Sequence, residues 1–430
     1  MTRRLRRAAT ETFRSLRERN FRLFFIGQTV SQVGTWVQSV ALSWLVLEKT
    51  RSGVALGVTT ALQFLPVLLI GPWCGVIADR FDKRRLLVVT QAAAGLQALG
   101  MAVIVLTGAD SLGLIFGLAL VFGLITALDN PVRRAFLVEL VEESEVGNAV
   151  GLNSALMTGS RIVGPALAGL MIVGVGVGWC FAVNALSYLA VLVAATRMDP
   201  SGFRSPPRPA RAPRQVRDGL AYTWRTPELR LPFLLVAVTG TFAFNFPVLL
   251  PLFAKRSLGG GASTLSLLYS VMSVGSVAGG LAVARRHEVG PRFLSRAAIL
   301  FGGALGLMAL APNLALALAA AVPVGFLGVL VLSGSNSAVQ LHAAPAMRGR
   351  VNALYAVVFL GTTPIGAPIA GLVAEHLGVR SGFIFGAVPV ATAGLVALAV
   401  LRRRHRLELE GAARAEDPGS PVMATATPMA

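Results

Sequence analysis

The chain has 430 residues, of which 54% are apolar and only 14% charged. Soluble chains carry about 25% charged residues, so an ordinary soluble enzyme is excluded and the uncharged residues must be gathered into long stretches. The net charge of +19 is compatible with a nucleic-acid partner until the placement of the charges is considered.

The first 22 residues form a basic segment in which Leu5, Ala9, Phe13 and Leu16 share one helical face. This reads first as a topology signal and second as a helix lying on an anionic leaflet. Twelve stretches of about 17–25 mostly apolar residues, the length that crosses a bilayer, follow near 23–47, 53–77, 86–107, 112–130, 148–173, 177–196, 231–254, 264–284, 295–311, 314–338, 350–374 and 380–401. The first is too long and too polar for a cleaved signal peptide. Residues 23–196 then make an N-terminal six-helix bundle and 231–401 a C-terminal one. Between them the segment 197–230 contains the Pro- and Arg-rich run Ser201 to Arg214, which reads as a flexible linker. The tail 402–430 is predicted to be disordered.

Thirty-three of the 39 Lys and Arg fall in the N-terminus, the alternate loops on its side, the linker and the tail; the opposite loops hold only Lys49, Arg51, Lys255, Arg256 and Arg380. The positive-inside rule therefore places both termini in the cytoplasm, and basicity explained by topology leaves no nucleic-acid partner. Cys74 and Cys180 lie near span ends, and the histidines at 287, 342, 376 and 405 are scattered. No metal or cofactor is expected from such spacing. A sequence echo links the halves: Gly164-Pro-Ala-Leu-Ala-Gly-Leu in span five and Gly366-Ala-Pro-Ile-Ala-Gly-Leu in span eleven, 202 residues apart. Duplicated bundles with a site at their interface are a transporter architecture; chance matching of small-residue helices is the competing explanation.

The loop after span two, Gly75-Val-Ile-Ala-Asp79-Arg80-Phe-Asp-Lys83-Arg84-Arg85, resembles motif A of the major facilitator superfamily, with Ile77 and Asp82 in place of the usual Leu and Gly. In span five, Gly151, Ser160, Gly164, Pro165 and Gly169 resemble the superfamily's antiporter motif, with Ser160 and Ala168 replacing two glycines. Ordinary small-residue packing is the other reading of that string. From Asn20-Phe-Arg-Leu to Gly366 the chain is similar to the enterobactin-exporter and macrolide-efflux branch, the transmembrane secretion effectors. The resemblance implies an all-α polytopic membrane protein of twelve transmembrane helices in two pseudo-symmetric bundles, in the bacterial cytoplasmic membrane. It also implies export by alternating access, a small-molecule substrate, protons as coupling ion, and a monomer. Asp79 would cap the N-terminus of span eleven, and Lys83, or Arg80 or Arg84, would reach Asp129, closing the cytoplasmic side when the cavity faces outward. Two bland readings compete: Asp79 as a loop charge, and Asp129-Asn130-Pro131 as the end of span four.

Ionisable groups at membrane depth are costly and are functional suspects by default. Asp79 and Asp129 lie at span ends, Arg161 is mid-span, and Glu48 and Glu375 read as solvated caps at outer ends. Arg161 must face a wet cavity, substrate included, or serve as a hub for backbone carbonyls. With no deep carboxylate, neutral, zwitterionic or anionic amphiphiles fit the cavity better than permanent cations. Gln28, Gln32, Thr35 and Ser39 share one face of span one, and Trp36, Asn153, Thr158, Phe242, Asn245, Phe246, Asn336 and Gln340 complete a candidate lining; helix packing is the alternative for each. No phosphate-binding loop is present, so ATP is not the energy source. The favoured function is proton-coupled export of a drug, siderophore or secondary metabolite. A uniporter or exchanger, a lipid-head-group transporter and a non-transporting sensor are the alternatives. An intramembrane enzyme finds no convergent nucleophile, base or metal ligands.

Overall fold

The computed structural model describes residues 13–204, 215–286, 289–344 and 347–415. Leu5 and Ala9, most of the Ser201 to Arg214 run and the end of the tail lie outside the described residues. Twelve helices are long and apolar enough to cross a bilayer, and there is no strand among the described residues. They are α1 (Arg19–Thr50), α2 (Gly53–Arg80), α3 (Lys83–Leu106), α4 (Leu112–Glu139), α5 (Val146–Gly174) and α6 (Val177–Arg197). The second set is α7 (Pro227–Ser257), α8 (Ala262–Ala284), α9 (Pro291–Leu310), α10 (Leu314–His342), α11 (Arg348–His376) and α12 (Val379–Ala415).

Several helices run past the apolar stretches that announce them. Hydropathy marks only the part that meets hydrocarbon, and a helix continues on polar residues once outside it. Thus α12 continues to Ala415 through residues expected to be a disordered tail, and the linker holds an amphipathic helix, Gln215–Arg225. Pro131 does not end span four: it lies inside α4, which runs on to Glu139.

α7 and α11 are broken helices. In α7, π-helical turns at Thr239–Ala243 and Phe253–Ser257 flank the segment Phe246–Leu252. Pro247 has no N–H to give the preceding turn. Asn245 Nδ2 donates instead to the carbonyl oxygens of Thr241 (2.9 Å) and Phe242 (3.2 Å). α11 is interrupted at Thr362.

The repeat seen in sequence is repeated in packing. Gly164 of α5 leaves room for Trp36 of α1, and Gly366 of α11 leaves room for the Thr241 backbone of α7. Five residues on, Gly169 meets Ser266 of α8, and Gly371 meets the Gly53 backbone of α2. Each member of the repeat therefore packs one broad face on its own half and one on the other half, and a Cβ at any of these four glycines would collide. Small residues permit such backbone approach where lipid supplies no hydrophobic drive. We expect Gly366→Val to cost about 1–3 kcal/mol through overpacking, read as a lower thermal midpoint in detergent; an unchanged midpoint would contradict this packing.

Candidate transport cavity and its gates

One face of the molecule carries the ends of α6 and α12 and the start of α1 and is called here the terminal face; the other is the far face. The two halves touch at the far face. There α2 packs on α11, with an ideal Cβ on Gly57 only 2.6 Å from the Ala367 carbonyl oxygen, and α5 packs on α8. Ser273 Oγ donates to the Arg161 carbonyl (2.8 Å) and Ser270 Oγ to that of Ile162 (3.4 Å). Toward the terminal face the same helices separate: Gly75 of α2 and Gly147 and Gly151 of α5 have open space where a Cβ would stand. The space between the halves is therefore a cavity open to the terminal face and shut at the far one.

Arg161 stands where this cavity ends. On α5 it shares a face with Ser154 and Thr158, which are accessible, and with Pro165 and Ala168, which are buried one turn or two farther toward the far face. The opposite side of the helix presents Val163, Leu167 and Leu170 outward. The helical period thus aims Arg161 inward rather than at lipid. Arg161 is exposed as a residue, its guanidinium lies 5.5 Å from the Trp36 ring centroid, and that group has no ion pair or side-chain hydrogen bond to another described residue. Gln32 Nε2 bonds the Met157 sulfur across α1 and α5, while Asn153 and Asn336 are half-buried, with Asn153 Oδ1 lacking a partner among the described residues.

A second cluster lies between α1, α3 and α4. Asp129, 8% exposed, accepts from Thr90 Oγ1 (2.7 Å) and Gln91 Nε2 (2.8 Å), and its other oxygen is 3.9 Å from Arg133 Nε. Arg133 in turn donates to Gln28 Oε1 (3.3 Å) and Asn130 Oδ1 (2.9 Å). Farther along α1 a buried amide chain continues, Asn184 to Gln38 to Gln97 to the Leu118 carbonyl. A buried carboxylate is tolerated here because two hydrogen bonds meet one of its oxygens and the nearby guanidinium offsets its charge.

The residues of the motif A loop stand apart in this conformation. Asp79 and Arg80 are exposed, and Asp79 has no hydrogen bond or ion pair to another described residue. Lys83 does not reach Asp129: it pairs with the buried Glu139 at 2.6 Å, because α4 extends past Pro131 and brings Glu139 alongside the start of α3. Arg84 donates to the Ala195 carbonyl (2.9 Å), and Asp82 caps α3 by accepting from Arg85 N–H (2.7 Å). Ser160 is buried and bonded to its own helix, and Pro165 is buried within α5.

Three placements expected from composition and periodicity change as a result. Gln28 is fully buried on Arg133 rather than lining the cavity, and Asn245 is buried holding the α7 break. Glu375 is not a solvated cap: it is half-buried and bonded across to the other half. Arg133, Gln91 and Thr90 do not stand out in the sequence as site residues; the i, i+4 pair Asp129/Arg133 and the polar pair in span three are the signals that point to them.

Two six-helix halves that meet at one membrane face and enclose a cavity open to the other define a membrane transporter of the major facilitator fold. The chain belongs to the transmembrane secretion effector family, whose sequence pattern matches residues 10–425. It is a multi-pass cell-membrane protein and not an enzyme. Among its relatives, the multidrug efflux pump Tap of Mycobacterium tuberculosis is 25% identical over 87% of this chain and 92% of its own length. Macrolide efflux protein A of Streptococcus pyogenes is 24% identical over 87% and 94%. The staphyloferrin A transporter of Staphylococcus aureus is 26% identical over 59% of this chain, a match spanning 64% of that protein. Among solved structures, a bacterial homologue of the human lysosomal transporter Spinster, inward-facing and unoccupied, superposes with a TM-score of 0.66 at 16% identity over 89% of this chain and 94% of its own. The peptide transporter PepTSo gives 0.73 at 12% identity over 91% and 99%.

Proposed function

We propose that this protein exports amphipathic small molecules from the cytoplasm by alternating access, in exchange for protons and as a monomer. The observation that carries this reading is the cavity between the halves, open only to the terminal face. The distribution of Lys and Arg assigns that face to the cytoplasm, so the cavity collects substrate from inside. Relatives described as multidrug, macrolide and siderophore transporters favour export of a drug, siderophore or secondary metabolite.

The substrate meets Arg161 at the cavity's end. A guanidinium at that depth with no carboxylate partner among the described residues favours neutral, zwitterionic or anionic compounds over permanent cations, because bringing a second cation there adds repulsion in a weakly screened site. Trp36 offers an apolar face beside it. We expect Arg161→Gln to raise the KM for anionic amphiphiles at least fivefold and to leave neutral ones within about twofold. Equal effects on both classes would return Arg161 to a structural role.

Protons are carried by Asp129. It is the buried carboxylate of the N-terminal half that bonds Thr90 and Gln91 of α3 and stands 3.9 Å from Arg133, so a movement of α4 against α3 changes its partners. Efflux is tested with inside-out vesicles: energised vesicles accumulate a labelled amphiphile against its gradient and protonophore abolishes the accumulation. Equilibration without accumulation supports the uniporter or exchanger reading instead.

A further inference from the structure

We propose that Glu375 is the latch of the far face, the residue that positions the two halves when the cavity is open to the cytoplasm. The proposal rests on the alternating-access reading above. α2 and α11 run antiparallel, and each ends in an acid: Asp79 at the terminal-face end of α2, Glu375 at the far-face end of α11. Glu375 Oε2 accepts from Ser52 Oγ at 2.6 Å and from the Val54 backbone N–H at 3.0 Å, 323 and 321 residues away in the chain. A carboxylate of the C-terminal half thus sits on the N-terminus of a helix of the other half, where free N–H groups and the helix dipole favour negative charge.

The surroundings are built for that approach. Gly53 and Gly57 of α2 let the backbones of Gly371 and Ala367 come into contact beneath the carboxylate. Beside it, Arg256 of α7 donates to the Arg51 carbonyl, and Lys255 lies 5.4 Å over the Trp44 ring. None of the five ion pairs among the described residues joins the two halves. Among those residues, Glu375 is therefore the carboxylate that bonds one half to the other.

The opposite end of the same helix pair is in the complementary state. Asp79 is exposed and bonds no other described residue, and the N-cap of α11, Met347, makes no side-chain capping bond. A pair of antiparallel helices that pivots over its middle cannot close both ends around a substrate cavity, so engaging one acid releases the other. Glu375 stabilises the cytoplasm-open state and weights the equilibrium against the far-open one.

Spin-label pairs test this in the full chain with Cys74 and Cys180 replaced by Ala: Val175→Cys/Leu377→Cys spans the far face, and Phe81→Cys/Leu341→Cys spans the terminal face. Glu375→Ala is expected to raise the far-open to terminal-open ratio about tenfold. Glu375→Gln, which keeps an acceptor but loses the charge, shifts it less, and adding Asp79→Asn to Glu375→Ala moves it back. Unchanged distance distributions in Glu375→Ala, or lowered thermal stability with no change in populations, would overturn the latch. Where Glu375→Ala fails to insert, an unshifted Glu375→Gln overturns it equally. A wild-type chain that never populates a far-open state at any pH or substrate concentration would overturn alternating access itself, which separates the two failures.

Discussion

Asp79→Asn is expected to insert and fold normally and to lower turnover at least tenfold. In the present conformation, with the cavity open to the terminal face, Asp79 bonds no other described residue, so its removal takes no interaction from this state. Its contribution is made in the far-open state, where the terminal-face ends of α2 and α11 come together and the uncapped start of α11 becomes available. A carboxylate at a helix N-terminus contributes about 0.3–1 kcal/mol, and up to ~2 in partly buried geometry, with charge-assisted hydrogen bonds adding roughly 1.5–3 kcal/mol. Losing that sum leaves the cycle stranded with the cavity facing the cytoplasm. Turnover in proteoliposomes checks it, with circular dichroism and labelling of Trp73 or Phe81 positions confirming insertion. Normal turnover by correctly inserted protein would sink the role of Asp79 as the cytoplasmic latch.

Asp129→Asn is expected to separate substrate movement from proton movement. The amide keeps an oxygen for Thr90 Oγ1 and Gln91 Nε2 and keeps the shape of the cluster, while the only proton it could exchange at that site is gone. Proton-driven accumulation falls at least tenfold, and exchange of labelled for unlabelled substrate down its gradient continues. Asp129→Ala is harsher: Arg133 loses its carboxylate while about nine-tenths of its side chain is covered, and breaking a buried pair by removing one member typically costs about 3–5 kcal/mol. Comparing counterflow with proton-driven uptake in the Asn variant decides the matter, and wild-type accumulation would move the coupling group elsewhere.

The spans, the two-bundle organisation and the membrane class are legible in sequence because each depends on local composition: long apolar stretches, a charge bias between loops, and a small-residue string repeated 202 residues later. The structure extends that string to contacts, since Gly164 and Gly366 meet α1 and α7 in corresponding ways. Span ends are not legible, as the helix past Pro131 shows, because hydropathy reports the hydrocarbon and not the helix. The site is legible in its residue types and not in its pairings. The motif resemblance puts Lys83, or Arg80 or Arg84, on Asp129 when the cavity faces outward; in the present conformation Lys83 lies on Glu139, ten residues farther along α4. Asn245 has the polarity of a lining residue but is consumed by the broken turn of its own helix. The bond from Glu375 to Ser52 joins residues 323 apart, and nothing periodic or local in one chain encodes such a meeting.

Exchange of an outgoing amphiphile for protons through this cavity is tested most directly by recording interior pH in energised inside-out vesicles. Neutral, anionic and cationic amphiphiles are added in turn, with Asp79→Asn as control. Substrate-triggered proton release with neutral or anionic compounds, absent in the variant, is the expected result. Labelled compound that moves while pH stays constant would contradict proton exchange.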